Sequence, residues 1–151
     1  MNSHLKSVSR PEQWRDYHDL RRIVLFESRG RYGVYDDTHP DEHAPGNYPM
    51  LLYQGDVAVG AIRIDLLPDH ETGIFRRVAI QKDWQRQGLG RTLMEQAEAF
   101  ALSHGCPIFV ANVARDAIGF YLKLGYQFDE GSDALNQENP RMTKVANVVN
   151  Q

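Results

Sequence analysis

The residues best suited to chemistry in this 151-residue chain centre on "QRQGLG", Gln85 to Gly90, where a strand-like stretch gives way to a helix-like one. Two glycines spaced G-x-G at such a junction suit a phosphate, and three phosphate-binding designs compete. A nucleotide P-loop needs G-x-x-x-x-G-K-[ST], but Gly90 is followed by Arg91 and Thr92, and no Lys-Ser or Lys-Thr pair follows a suitable glycine. A dinucleotide fingerprint needs a third glycine where Leu93 stands, and a shorter loop than Ile80 to Gly88. Its acidic ribose ligand, about 20 positions on, would fall near Ile108. The third design holds a pyrophosphate on bare amides at a helix N-terminus, where free N–H groups and the positive end of the helix dipole coincide. Gly88 and Gly90 would clear the approach, with Arg86 and Arg91 adding charge-assisted contacts. A glycine-rich loop that binds nothing fits the same six residues, so "QRQGLG" alone leaves both readings open.

Other candidates also carry two readings each. In "HPDEH", His39 and His43 lie four apart beside Asp41 and Glu42, a spacing that suggests a metal. Pro40 disfavours the continuous helix that would align them, and neither H-E-x-x-H nor a cysteine cluster is present, so no metal is expected. Arg76 and Arg77 alternate faces in their strand, so at most one points into a cleft; a solvated or ion-paired arginine is the alternative. Tyr121, at i+4 from Ala117 and i−3 from Leu124, suits core packing as well as chemistry. Asn112, at a strand end, suits a helix cap or a ligand contact. Cys106, beside Pro107, reads as a small buried hydrophobe.

The elements that must position these residues follow from periodicity. Ser9 and Glu12 have capping-box spacing with Pro11 in the first turn, and Trp14, Tyr17, Leu20 and Val24 recur at roughly helical spacing, which predicts a helix near residues 10–28. "RYGVYDDTHPDEHAPGNYP" reads as loop with room for one short helix. "MLLYQGDVAVGAIRIDL" is a β-hairpin about Gly55-Asp56, and "TGIFRRVAI" is a third strand. "RTLMEQAEAFALSHG" carries an apolar stripe of Leu89, Leu93, Ala97 and Ala101 and stops at Gly105. "CPIFVANV" is a buried strand, "ARDAIGFYLKLG" a helix, and "YQF" and "RMTKVANVV" close the chain as strands across the acidic loop "DEGSDALNQENP". The strand–helix–strand crossover implies a parallel pair, hence a mixed sheet in an α/β or α+β domain.

Composition bounds the function. The length suits a single domain, 1–151, and 42% hydrophobic with 25% charged residues fits a soluble globular chain. No apolar run approaches a membrane span, no signal-peptide core opens the chain, and a lone cysteine fits a reducing cytoplasm. A net charge of −3 argues against nucleic acid as the main partner.

"RRVAIQKDWQRQGLGRTLMEQA", with Asn112 some twenty residues on and "FYLKLGYQF" after it, resembles the GNAT superfamily of acetyl-CoA-dependent N-acetyltransferases. The superfamily motif Q/R-x-x-G-x-G/A is matched by Gln85, Gly88 and Gly90, and its second motif by Asn112, Phe120-Tyr121 and Gly125-Tyr126. The match is close over about residues 72 to 128, while the first 70 residues agree only in element order.

The resemblance implies a single-domain, mostly antiparallel sheet in which two parallel strands, 74–80 and 107–113, splay apart. The pantetheine arm of acetyl-CoA would pair with the backbone of Val78, Ala79 and Ile80, as in strand addition. The pyrophosphate would meet Gln85, Arg86, Gln87, Gly88, Leu89, Gly90 and Arg91, and Asn112 would also contact the cofactor. The implied reaction is direct acetyl transfer to an amine with Tyr121 protonating the leaving thiolate; no metal is implied. The alternative is a non-catalytic acyl-CoA-binding or regulatory module on the same scaffold. The strand glutamate that serves many relatives as base has no counterpart in Ile74, Phe75, Arg76, Arg77, which leaves Glu71, Asp65, His70 and His39 as candidates and water-mediated proton removal as the default. The acceptor is a small-molecule or peptide amine, its pocket built from residues 10–48 and 128–140. Asp36, Asp37, Asp41, Glu42, Asp129 and Glu130 there suggest a cationic one. A homodimer is a further expectation from the family.

Overall fold

The computed structural model describes residues 2–129 and 138–146. Its elements run β1 (Ser3–Ser7), α1 (Pro11–Arg21), β2 (Asn47–Gln54), β3 (Val57–Leu66), β4 (Thr72–Ile80), α2 (Leu89–Ser103), β5 (Ile108–Asn112), α3 (Ile118–Lys123), β6 (Gln127–Phe128) and β7 (Arg141–Val145). One seven-stranded sheet in the order β1-β2-β3-β4-β5-β7-β6 spans them all. Every pairing is antiparallel except β4 with β5, the pair joined through α2. The sheet is therefore mixed and mostly antiparallel, with helices on both faces.

Alternation along the central strands assigns those faces. Leu52, Ile62 and Ile64 point with Phe75 toward α2, whose Leu89, Leu93, Met94, Ala97 and Ala101 complete the larger core, and Tyr121 of α3 joins it. Leu51 and Ala61 point the other way and pack on Tyr17 and Leu20 of α1. The Gly55-Asp56 hairpin falls where its sequence places it.

Three local features differ from the sequence reading. The strand β1, which pairs with β2 from Ser3↔Gln54 to Ser7↔Met50, is additional. The start of α1 slips by one residue: with Pro11 in the first turn, Arg10 takes the cap position, and the Gln13 carboxamide oxygen, not Glu12, reaches back to the amides of Ser9 and Arg10, both at 2.9 Å. The helical region then continues as a wide π-helical turn, Arg22–Phe26, and a short tight turn, Glu27–Arg29. The acidic loop before β7 lies largely outside the described residues, as do Glu130 and the last part of "RMTKVANVV".

Candidate active site at the splay of two parallel strands

The strands β4 and β5 pair only from Thr72↔Ile108 to Phe75↔Ala111. Beyond Phe75, β4 keeps its bonds to β3, with Ala79 opposite Ala61 and Ile80 opposite Gly60, while β5 follows β7 as far as Asn112↔Arg141. Among the described residues, no strand covers the β5 side of Val78, Ala79 and Ile80. Peptide groups on that edge need partners, and an amide-bearing ligand can supply them.

At the far end of that edge the Gln85 side chain donates to the Ile80 carbonyl at 2.9 Å, fixing the loop to the strand. Arg86 takes a left-handed conformation, φ 64°, and Gly88, at the helix cap, has φ 80°. No side chain caps α2, so its first amides, from Leu89, Gly90 and Arg91, lack the intrahelical acceptors that later residues have. A methyl group on Gly88 would meet no protein atom within 4 Å, so its bare side faces open space. Gly90 differs: a methyl there would come within 3.2 Å of Cζ of Phe120, so its missing side chain makes room for α3. Arg91 is exposed and lies 3.9 Å from Glu95, and the Gln87 side chain contacts the Asp83 carbonyl at 3.4 Å. The loop thus has the geometry of an anion site on bare amides.

Of the other sequence-selected residues, Asn112 is an exposed strand residue; it caps no helix, since the following turn, Arg115–Ala117, has Ala114 at its cap position. Tyr121 is buried, edge-on to the Phe120 and Tyr126 rings at 5.3 Å each. Its hydroxyl has no hydrogen-bond partner among the described residues, and burial pushes its pKa well above the usual phenol value, so it keeps its proton.

A cavity of about 630 Å³ opens on the α1 face, reaching Phe75, Arg76, Arg77 and Asn112 at the splay and the segment from Arg21 to Glu42 opposite. Its wall holds a chain of charges. The Arg21 Nη1 meets Glu42 Oε2 at 2.5 Å; Arg63 Nη1 meets Glu42 Oε1 at 2.8 Å and holds Asp65 in a fork at 2.7 and 2.9 Å; Arg76 Nε reaches Asp65 at 2.7 Å. Burial alone would raise the Glu42 carboxyl, but the Arg21 charge and the Arg63 hydrogen bond outweigh it and hold its pKa below the ordinary range.

The expectation that at most one of Arg76 and Arg77 enters the cleft is corrected: both line the cavity. Register jumps from Ala61↔Ala79 to Arg63↔Arg76, so β4 carries an extra residue in a β-bulge, and Arg77 takes φ 57°, which breaks the alternation. The Arg77 guanidinium lies 5.1 Å from the Phe26 ring centre and that of Arg31 4.9 Å from the same ring.

Sequence reasoning also missed Tyr35, which lines the cavity with its hydroxyl 2.6 Å from Nδ1 of His18. Burial lowers the His18 pKa, aided by Arg21, against the pull of Glu42, so the ring is neutral at pH 7; burial also raises that of Tyr35, to about 12. The earlier base candidates separate. Asp65 is locked between two arginines, Glu71 and His70 sit at an exposed turn away from the cavity, and only His39 lines it. His39 and His43 lie at the two ends of the short turn Pro40–His43, with the His43 ring tilted against Trp14 at 4.8 Å. Among the described residues, no group of three or more His, Cys, Asp or Glu side chains is placed to hold a metal, and no helix is long and apolar enough to cross a membrane.

The glycine-loop edge, the splay and the cavity beyond it define an acyltransferase architecture. Residues 12–126 match the model of the acetyltransferase (GNAT) family, and the chain belongs to that family. An uncharacterized N-acetyltransferase of Bacillus subtilis (strain 168), YjcF, is 25% identical over 131 residues, 87% of this chain and 90% of the relative. In fold the chain is similar to a GNAT-family acetyltransferase of Staphylococcus aureus Mu50 (TM-score 0.77, 12% identity, 95% and 99% of the two chains). It is also similar to the PaiA N-acetyltransferase of Thermoplasma acidophilum, solved in complex with coenzyme A (TM-score 0.72, 14% identity, 96% and 99%).

Proposed function

We propose that this N-acetyltransferase family member moves an acetyl group from acetyl-CoA directly to the primary amine of a small molecule. The observation that carries this reading is the splay itself: one opening joins an uncovered β4 edge and an uncapped helix on one side to an acceptor-sized cavity on the other.

In this reading the amides of residues 86–91 hold the pyrophosphate, and the backbone of Val78, Ala79 and Ile80 pairs with the pantetheine arm. The thioester is thereby brought beside Phe75 and Asn112. The acceptor amine must be neutral to attack, and for an amine of pKa about 10.4 deprotonation at pH 7 costs roughly 4 to 5 kcal/mol. Tyr35, with neutral His18 behind it, gives the released proton a route out of the cavity, alone or through a bridging water. Tyr121, which retains its proton, supplies it to the departing thiolate. A reducing cytoplasm is the setting assigned to it, in keeping with the single free Cys106.

The test is release of CoA thiol from acetyl-CoA by the purified protein over a panel of amines. Thiol release that depends on the amine is the expected result. Coenzyme A binding without amine-dependent release on any member would contradict the reading and leave a non-catalytic binder.

A further inference from the structure

We propose that the acceptor carries an anionic group, a carboxylate or a phosphate, beside its amine, and that Arg31 and Arg77 bind it; this rests on the N-acetyltransferase reading above. The buried acids are already matched, Glu42 in the cavity wall by Arg21 and Arg63, and Asp65 behind it by Arg63 and Arg76. The exposed Asp36 accepts from the backbone amide and hydroxyl of Thr38. The guanidiniums of Arg31 and Arg77, in contrast, have neither an ion pair nor a hydrogen bond among the described residues, and both lie over the Phe26 ring. Two guanidiniums on one ring, with Arg21 and Arg63 nearby, concentrate positive charge at a concave surface. Partial desolvation beside the cavity wall and those neighbours, Arg21 foremost and then Arg31 and Arg63, hold the Arg77 pKa below its ordinary value. An oxyanion relieves that repulsion, and a guanidinium fork fits carboxylate and phosphate oxygens.

Backbone geometry points the same way. Arg77 sits in the left-handed region, a conformation that strains a non-glycine residue, and the bulge turns its side chain into the cavity. The acyl donor's phosphates do not account for this charge. Their amide site heads α2, which packs on the opposite face of the sheet from α1. Because Arg77 lies two residues beyond Phe75, the last residue of β4 paired with β5, the anion and the reacting amine belong to one small molecule.

The test compares matched acceptors in the thiol-release assay: α-amino acids against their carboxamides, and phosphorylated amino sugars against unphosphorylated ones. We expect kcat/KM at least tenfold higher for the charged member of one pair, and which pair responds separates carboxylate from phosphate. Arg77→Gln and Arg31→Gln should each bring that ratio toward one, mainly through KM, while Arg77→Lys keeps part of it. Both arginines are exposed, and glutamine at position 77 leaves the backbone strain unchanged, so melting temperatures should match wild type. Neutral members used as well as charged ones, or a ratio untouched by both glutamine variants, would overturn this proposal and leave acetyl transfer standing. Coenzyme A binding with no thiol release for any acceptor would remove both.

Discussion

Gly90 packs against Phe120 so closely that a methyl group on the glycine would stand 3.2 Å from the ring, whereas Gly88, two residues earlier, faces open space with φ 80°. The two glycines of one short motif therefore do different work. Gly88→Ala should cost about 1–2 kcal/mol, because alanine is strained in the left-handed region, and should weaken coenzyme A binding at least tenfold by re-aiming the loop amides. Gly90→Ala should be nearly neutral in stability, since better helix propensity, up to about 1 kcal/mol, offsets the shift forced on Phe120. Denaturant midpoints and calorimetric coenzyme A titrations check both, and equal stability losses in the two variants would contradict this division.

Glu42 is the shared partner of Arg21 and Arg63, each side chain below 10% exposed. Removing it leaves the buried Arg21 without its carboxylate and Arg63 with Asp65 alone, so Glu42→Ala should lose about 3–5 kcal/mol in urea unfolding. A loss under about 1 kcal/mol would mean that the chain of charges does not brace the cavity wall.

Half-buried His18 has a lowered pKa, so between that value and the unfolded value near 6.5 the unfolded chain binds more protons. Stability should therefore fall as pH drops below about 6.5, and His18→Gln should flatten that part of the profile. Glu42, with its pKa held below the ordinary range, acts only at lower pH and does not blur the window. Urea midpoints from pH 7.5 to 5.5 test this; identical slopes in the two proteins would refute it.

Tyr121→Phe should fold normally, because the hydroxyl gives up no hydrogen bond to the described residues, and should bind coenzyme A as wild type does. Turnover should drop at least tenfold if this phenol protonates the thiolate. An undiminished rate would leave Tyr121 as a core side chain.

Much of the fold was legible because its signals are local. The Gly55-Asp56 turn, the apolar stripe of α2 and the strand–helix–strand order led directly to the hairpin, the helix and the parallel pair. The short edge strand β1 was not legible: its alternating, half-exposed residues carry too little apolar pattern. The Arg77 bulge could not be read either, since no glycine marks its positive φ. The arginine–carboxylate chain was missed because its members look like surface residues one at a time and meet only through folding, Glu42 lying 21 positions from both Arg21 and Arg63. One signal was available. Arg63 and Asp65 alternate within "AIRIDL", and two opposite charges on one face of an otherwise apolar strand imply a buried pair.

The central claim is that the splay between β4 and β5 is where acetyl passes from thioester to amine. The most direct measurement is the stoichiometry of products, by mass spectrometry and thiol titration, when wild-type protein is incubated with acetyl-CoA and an amine that stimulates turnover. The account predicts one N-acetylated amine for each CoA thiol released. Thiol released without acetylated amine, or an acetyl group left on the protein in place of the amine, would contradict it.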